Sequence, residues 1–279
     1  MKSGWKIFWI IVAVITALGV ICGCVSLALG VTLADLSNDF PVRDHTTIIE
    51  KEILDITEDY SEQYEFENIN DLDISVGACE VIIQASDTDT VQVDASRLKY
   101  QALGLELSVA DKNGTLFIQT TKNGNLWDVL SAKHKNGGVL KIYIPKDMAL
   151  STANLEFGAC ELEMSGLNIT QMNLSLGAAK CKMEQMNLDF LHAEVGAGNL
   201  DYSGTISGNV EIECGVGEVD LDLDGTEQEF NYELSVAMGE IEIEDREYGG
   251  LGVNEIIDNH DKKNMTIDCG AGSVSVDFK

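Results

Sequence analysis

Apolar and polar side chains alternate with a period of two through most of the chain beyond residue 68, as in Leu155-Glu156-Phe157 and Leu162-Glu163-Met164. Such alternation marks strands with one face buried and the other in water. It arrives as one phrase written repeatedly: ISVGACEVII at 74–83, LEFGACELEM at 155–164, LSLGAAKCKM at 174–183, AEVGAGNLDY at 193–202, IECGVGEVDL at 212–221, LSVAMGEIEI at 234–243 and IDCGAGSVSV at 267–276. Four pivot glycines, Gly158, Gly177, Gly196 and Gly215, stand 19 residues apart. Gly77 holds the same place in the first copy and Gly270 in the last, while Ala237 replaces the glycine in the copy between. A supersecondary unit repeated near every 20 residues predicts stacked coils sharing one core.

The phase of the alternation changes at each pivot. Phe157 and Leu162 are both apolar yet five positions apart, so an uninterrupted pleat would turn them to opposite faces. The same odd step separates Val76 from Val81, Val195 from Leu200, Cys214 from Val219, Val236 from Ile241 and Cys269 from Val274. A corner or bulge in the G-A-x segment must restore the inward phase. Glycine is expected there for its access to positive φ. Its small neighbours Ala78, Ala159, Ala178, Ala197 and Ala271 suit closely packed coils.

The first 34 residues break this pattern. Between Lys6 and Asp35 lie 28 residues without a formal charge, and about 20 apolar residues suffice for a helix to cross a bilayer. Lys2 and Lys6 before the run, against Asp35 and Asp39 after it, place the N-terminus in the cytoplasm and the remainder outside. Two other fates compete. One is a cleaved signal peptide ending near Ala28-Leu29-Gly30, and the other a lipid anchor at Cys24. The apolar run continues past Cys24 to Leu33, which favours a retained span. The expected fold is therefore an all-β solenoid of about 19-residue coils carrying an N-terminal transmembrane helix. Its domains are an anchor at 1–34, with membrane contact through 7–34, a charged juxtamembrane stalk at 35–68, and the solenoid at 69–279. Within the solenoid the regular repeats run from 151 to 244, with projecting loops at 122–138 and 245–264.

Charge narrows the partners. All 47 acidic residues but only 16 of the 18 basic ones lie beyond residue 34, leaving that part near −31. This argues against nucleic acid and against adsorption to anionic lipid. Outward positions after the later pivots read Glu218, Asp220, Asp222 and Glu240, Glu242, Glu244. If those coils stack as neighbours, like charges about 4.8 Å apart repel by roughly 0.9 kcal/mol even in bulk water. An acidic stripe of this kind suggests divalent cations, cationic peptides or an envelope protein as partners; its plainer meaning is a solvated face resistant to edge aggregation.

Catalytic chemistry is sparse. The four histidines recur with no fixed partner, no G-x-S-x-G occurs, and Gly196-Ala197-Gly198 lacks the third glycine of a dinucleotide loop. No metal or cofactor set is indicated beyond the cation reading, and the chain is not expected to be an enzyme. Five cysteines follow the apolar run, without CxxC or zinc spacing. Cys181, Cys214 and Cys269 take inward slots as small apolar residues. Cys79 and Cys160 each fall two places after a pivot, within disulfide reach if their coils are adjacent.

The stretch LKIYIPKDMALSTANLEFGACELEMSGL, with Ile144-Pro145-Lys146 ending a strand before the glycine repeats, resembles the bacterial adhesin-like toastrack family of β-solenoid domains. The resemblance covers about residues 66–279. It implies a membrane-tethered extracytoplasmic solenoid associated with the cell envelope, and it carries over no enzymatic residue. Together these features lead to the expectation of a single-pass cell-membrane protein acting as an envelope interaction or sensing module. The alternative is an adhesin-like structural surface protein.

Overall fold

The computed structural model describes residues 63–77, 79–98, 105–122 and 138–279. Wherever the sequence alternates, the backbone is extended. The strands are β1 (Gln63–Phe66), β2 (Asp71–Val76), β3 (Glu80–Ser86), β4 (Val91–Asp94), β5 (Leu105–Lys112), β6 (Thr115–Lys122) and β7 (Val139–Pro145). There follow β8 (Ala149–Phe157), β9 (Glu161–Ser165), β10 (Asn168–Leu176), β11 (Lys180–Val195), β12 (Asn199–Ile206), β13 (Val210–Cys214) and β14 (Glu218–Leu223). The last six are β15 (Phe230–Val236), β16 (Glu240–Ile243), β17 (Arg246–Gly249), β18 (Val253–Ile257), β19 (Lys263–Cys269) and β20 (Ser273–Phe278).

Each coil pairs one strand on a first face with one on a second, and in the repeated phrases a glycine-bearing corner joins the two. Parallel pairing builds the first face in the order β6, β2, β8, β10, the second half of β11, β13, β19, β15. The second face runs β7, β3, β9, the first half of β11, β12, β14, β20, β16. Register between the consecutive copies is the 19-residue repeat itself, with Leu155 opposite Leu174 and Leu162 opposite Cys181. Inward side chains such as Leu155, Leu174, Ile212, Ile267 and Leu234 are 2% exposed or less and form one continuous column. Each such Leu or Ile taken from water contributes about 1.5–3 kcal/mol, and none of the buried core residues is charged.

Two coils stand out of chain order. The coil from the N-terminal copy, β2 with β3, lies between β6/β7 and β8/β9. The coil from the C-terminal copy, β19 with β20, lies between β13/β14 and β15/β16. Both ends of the stack are closed by antiparallel strands. At one end β5 pairs with β6 and β4 with β7; at the other β18 pairs with β15 and β17 with β16. Parallel ladders thus end in hairpin-like strands, which leaves fewer unpaired parallel edges for other chains to extend.

The odd-step expectation for the corners is met. Phe157, Cys160 and Leu162 are buried while Gly158 and Ala159 between them are exposed. The reason expected for glycine is not met, because none of the pivots from Gly77 to Gly270 has positive φ. Close approach of neighbouring coils is what excludes a side chain there. A Cβ on Gly177 would stand 2.9 Å from Gly158 O, one on Gly215 2.8 Å from Gly196 O, and one on Gly270 2.6 Å from Gly215 O. The corner backbone itself continues the ladder, with Gly177 N–H donating to Phe157 O at 2.9 Å and Gly215 N–H to Val195 O at 2.8 Å.

The helical part of the expected fold needs correction. Among the described residues no helix is long and apolar enough to cross a membrane. The helical element they contain is a single 3-10 turn at Glu227–Glu229. The physical reason is the period-two alternation, which never offers a long unbroken apolar surface along a helix. The apolar run at 7–34 and the stalk to residue 62 lie outside the described residues, as does most of the loop at 122–138. A single-pass topology, a cytoplasmic N-terminus and a membrane partner therefore have no support in the structure. The segment 245–264 contributes β17 and β18, the two antiparallel strands that close one end of the stack.

Candidate functional site

The six carboxylates singled out in the sequence sit on two strands that do not touch. Glu218, Asp220 and Asp222 project from β14, and Glu240 and Glu242 from β16, with Glu244 just beyond it. The out-of-order strand β20 separates them, setting Ser273 between Glu218 and Glu240 and Ser275 between Asp220 and Glu242. Two strand spacings, about 9–10 Å, therefore divide the acid rows. Several of these acids are already engaged. Glu218 accepts from Asn199 Nδ2 at 2.8 Å, Asp222 pairs with Lys279 Nζ at 2.7 Å, and Glu244 accepts from Phe278 N–H at 2.8 Å. Partial burial, followed by the nearby Glu218, Asp201, Asp277 and Asp222 charges, pushes the Asp220 carboxyl above its ordinary range.

Among the described residues no cluster of three or more His, Cys, Asp or Glu side chains is arranged to hold a metal ion. The reading of the stripe as a cation-binding or sensing surface is corrected accordingly: Ser273 and Ser275 stand between the first two pairs of carboxylates, and Asp277 beside Asp222 completes no such cluster. The pivot residues Gly77, Gly158, Gly177, Gly196, Gly215 and Gly270 fall in one line in the stack order, completed by Ala237.

Two surface features were not read from the sequence. On the first face, Glu194, Glu213 and Asp268 occupy three successive strands in register, and they border a shallow groove of about 560 Å³ beside the pivots Gly196, Gly215 and Gly270. His192 lies next to this row, with Nε2 3.3 Å from Glu194 and Nδ1 3.2 Å from Glu211. The second feature is the corner itself. The residues after the pivots, Ala159, Ala178, Ala197, Val216, Ala271 and Met238, are exposed and joined by corner hydrogen bonds of 2.7–2.9 Å. At the β17–β18 end this line becomes strongly apolar: Val216 is 65% exposed, Met238 68%, and Leu251 84%. Gly252 N–H donates to Ala237 O at 3.1 Å, which brings the Leu251 turn against the corner. The signal for this ridge was present in the phrase, where Val216 and Met238 replace alanine, although the inserted coil sets Ala271 between them.

Comparison with known proteins agrees with this architecture. A family model described as Toastrack DUF4097 matches residues 69–278. Among curated proteins, no relative matches the chain. Three solved structures are similar at low identity. One is named a "putative cell adhesion protein" from Clostridium sporogenes, at 14% identity and TM-score 0.45, covering 78% of this chain and 98% of that one. A "putative adhesin" from Bacteroides fragilis has 14% identity and TM-score 0.39, with 76% and 94% covered. A "putative lipid binding protein" from Parabacteroides distasonis has 15% identity and TM-score 0.35, with 76% and 95% covered. None of these descriptions names a reaction.

Proposed function

The chain belongs to the Toastrack DUF4097 family, and from that premise we propose that it is an adhesin-like structural module that attaches to a protein surface through its apolar corner. The observation that carries this reading is the alignment of Val216, Met238 and Leu251, each at least 65% exposed, along one edge of the β17–β18 end. Soluble surfaces seldom concentrate large apolar side chains along one line without a use for them. Acid-rich faces flank the corner, so polyanionic surfaces are repelled and an apolar or basic protein surface is preferred. Cooperative packing of the coils keeps the ridge in a fixed geometry, which lowers the entropy lost on attachment.

The test is adhesion of beads coated with the full chain to bacterial cells and to protein-coated surfaces, compared with the Met238→Ser/Leu251→Ser double variant. Attachment by the parent chain that persists at high salt, and a several-fold loss in the variant with an unchanged melting curve, is the expected result. No attachment by the parent, or equal attachment by both, would refute the proposal.

A further inference from the structure

A second groove, of about 490 Å³, lies on the first face where β13, β19, β15 and β18 run side by side. Two rows of outward side chains cross it. The first row is made of amides: Asn209 just before β13, Asn264 on β19 and Asn231 on β15. Hydrogen bonds fix them in place. Asn209 Oδ1 accepts from Asn264 N–H at 3.0 Å, Asn264 Oδ1 from Asn231 Nδ2 at 3.2 Å, and Asn231 Oδ1 from Asn259 N–H at 3.1 Å. These bonds engage the carbonyl oxygens of Asn209 and Asn264 and leave their Nδ2 groups, with two donors apiece, outside them. The second row, two residues further along the same strands, is Glu211, Thr266 and Glu233 in register. It supplies acceptors about 6–7 Å along the strands from the amides. Ile256, opposite Glu233 on β18 and 79% exposed, ends the row with an aliphatic surface.

We propose that this groove binds a neutral glycan, laid across the amide and carboxylate rows. It lies on a different surface from the apolar corner and does not depend on attachment there. A sugar hydroxyl donates to a carboxylate while accepting from an amide, so one chemical group satisfies both rows. The C–H face of a pyranose ring covers Ile256 and takes its exposed surface out of water. Other ligand classes match the groove less well. Glu211, Glu233 and Asp258 line it together and repel phosphate, sulfate and uronate groups. An inorganic cation finds no cluster of three ligands among the described residues. Glu211 Oε2 lies 3.2 Å from His192 Nδ1, which steadies that carboxylate and leaves its other oxygen to the ligand. Amides already fixed before the ligand arrives lose little freedom on binding.

The full chain is run in native gels cast with starch, hydroxyethyl cellulose or galactomannan, and in a gel cast with polygalacturonate as the anionic comparison. Retardation by at least one neutral polysaccharide, and none by polygalacturonate, is expected. The Glu233→Ala/Ile256→Ser double variant changes two exposed positions. It should bind roughly tenfold more weakly with an unchanged melting curve. The Met238→Ser/Leu251→Ser variant should be retarded like the parent, which separates this groove from the corner. No retardation by any of the three neutral polysaccharides would overturn the proposal, as would equal retardation by polygalacturonate. So would a Glu233→Ala/Ile256→Ser variant that binds like the parent, or a corner variant that loses binding to the same extent.

Discussion

Replacing Gly272 by alanine should unsettle the stack out of proportion to the single methyl added. Its Cβ would stand 2.2 Å from Gly217 O, 3.1 Å from Gly217 N and 2.8 Å from Cys214 Sγ. Ordinary contact begins near 3.4 Å, so two coils must part by about 1 Å where the neighbour is backbone and cannot turn aside. The strain falls on ladder bonds that meet at this corner. Ser273 N–H donates to Gly217 O at 3.1 Å, and Glu240 N–H to Gly272 O at 3.1 Å. Overpacking costs about 1–3 kcal/mol, and weakening two hydrogen bonds adds about 1 kcal/mol each. Reduced freedom of the unfolded chain offsets about 0.4–1 kcal/mol. The net destabilisation is about 2–4 kcal/mol, which lowers the melting temperature by roughly 5–15 °C for a domain of this size. Gly77→Ala is the control: it is a corner glycine too, at the pivot two places before the position that corresponds to Gly272, but its nearest neighbour would be Thr120 Oγ1 at 3.8 Å, and it should melt within about 2–4 °C of the parent. Thermal melts followed by circular dichroism distinguish the two. A Gly272→Ala chain as stable as the parent, or a Gly77→Ala chain equally damaged, would refute close approach as the reason for the corner glycines.

Two further outcomes follow from the topology and the charges. Ending the chain after residue 261 removes β19 and β20 from inside the stack, so β15 and β16 should lose amide-exchange protection although their own residues remain; retained protection there would contradict the pairing order. The second outcome concerns Asp220, whose raised folded-state carboxyl means that the folded protein holds that proton more tightly than the unfolded chain. Its cost is therefore present at neutral pH and fades as pH falls through the raised value. Asp220→Asn should gain up to about 0.5 kcal/mol at pH 7, kept small by solvent screening, and the gain should shrink when the pH is lowered into the ordinary carboxylate range, about 4. An equal gain at both pH values would show that the charge is not responsible.

Much of the coil was legible from residue order alone. Alternation gave the strands, and the odd step from Phe157 to Leu162 gave the corner, because parity is a local property of the pleat. The order in which coils stack was not legible. Insertion of β19/β20 between β14 and β16 depends on which apolar edges fit in three dimensions, and the long connections carry no periodic signal. That one insertion explains why Glu218 and Glu240 were expected to be neighbours and are not. The corner glycines illustrate a different limit: their identity was readable, but their reason, an approach within 3.0 Å of the next coil's carbonyl, exists only once coils are stacked.

Out-of-order stacking also bears on how the molecule is made. During synthesis β15 and β16 leave the ribosome before β19 and β20, yet they cannot dock on β13 and β14 without leaving a gap one coil wide. The last strands delivered act as a keystone, so closure of that end must wait for them and late-arriving, distant contacts set its pace.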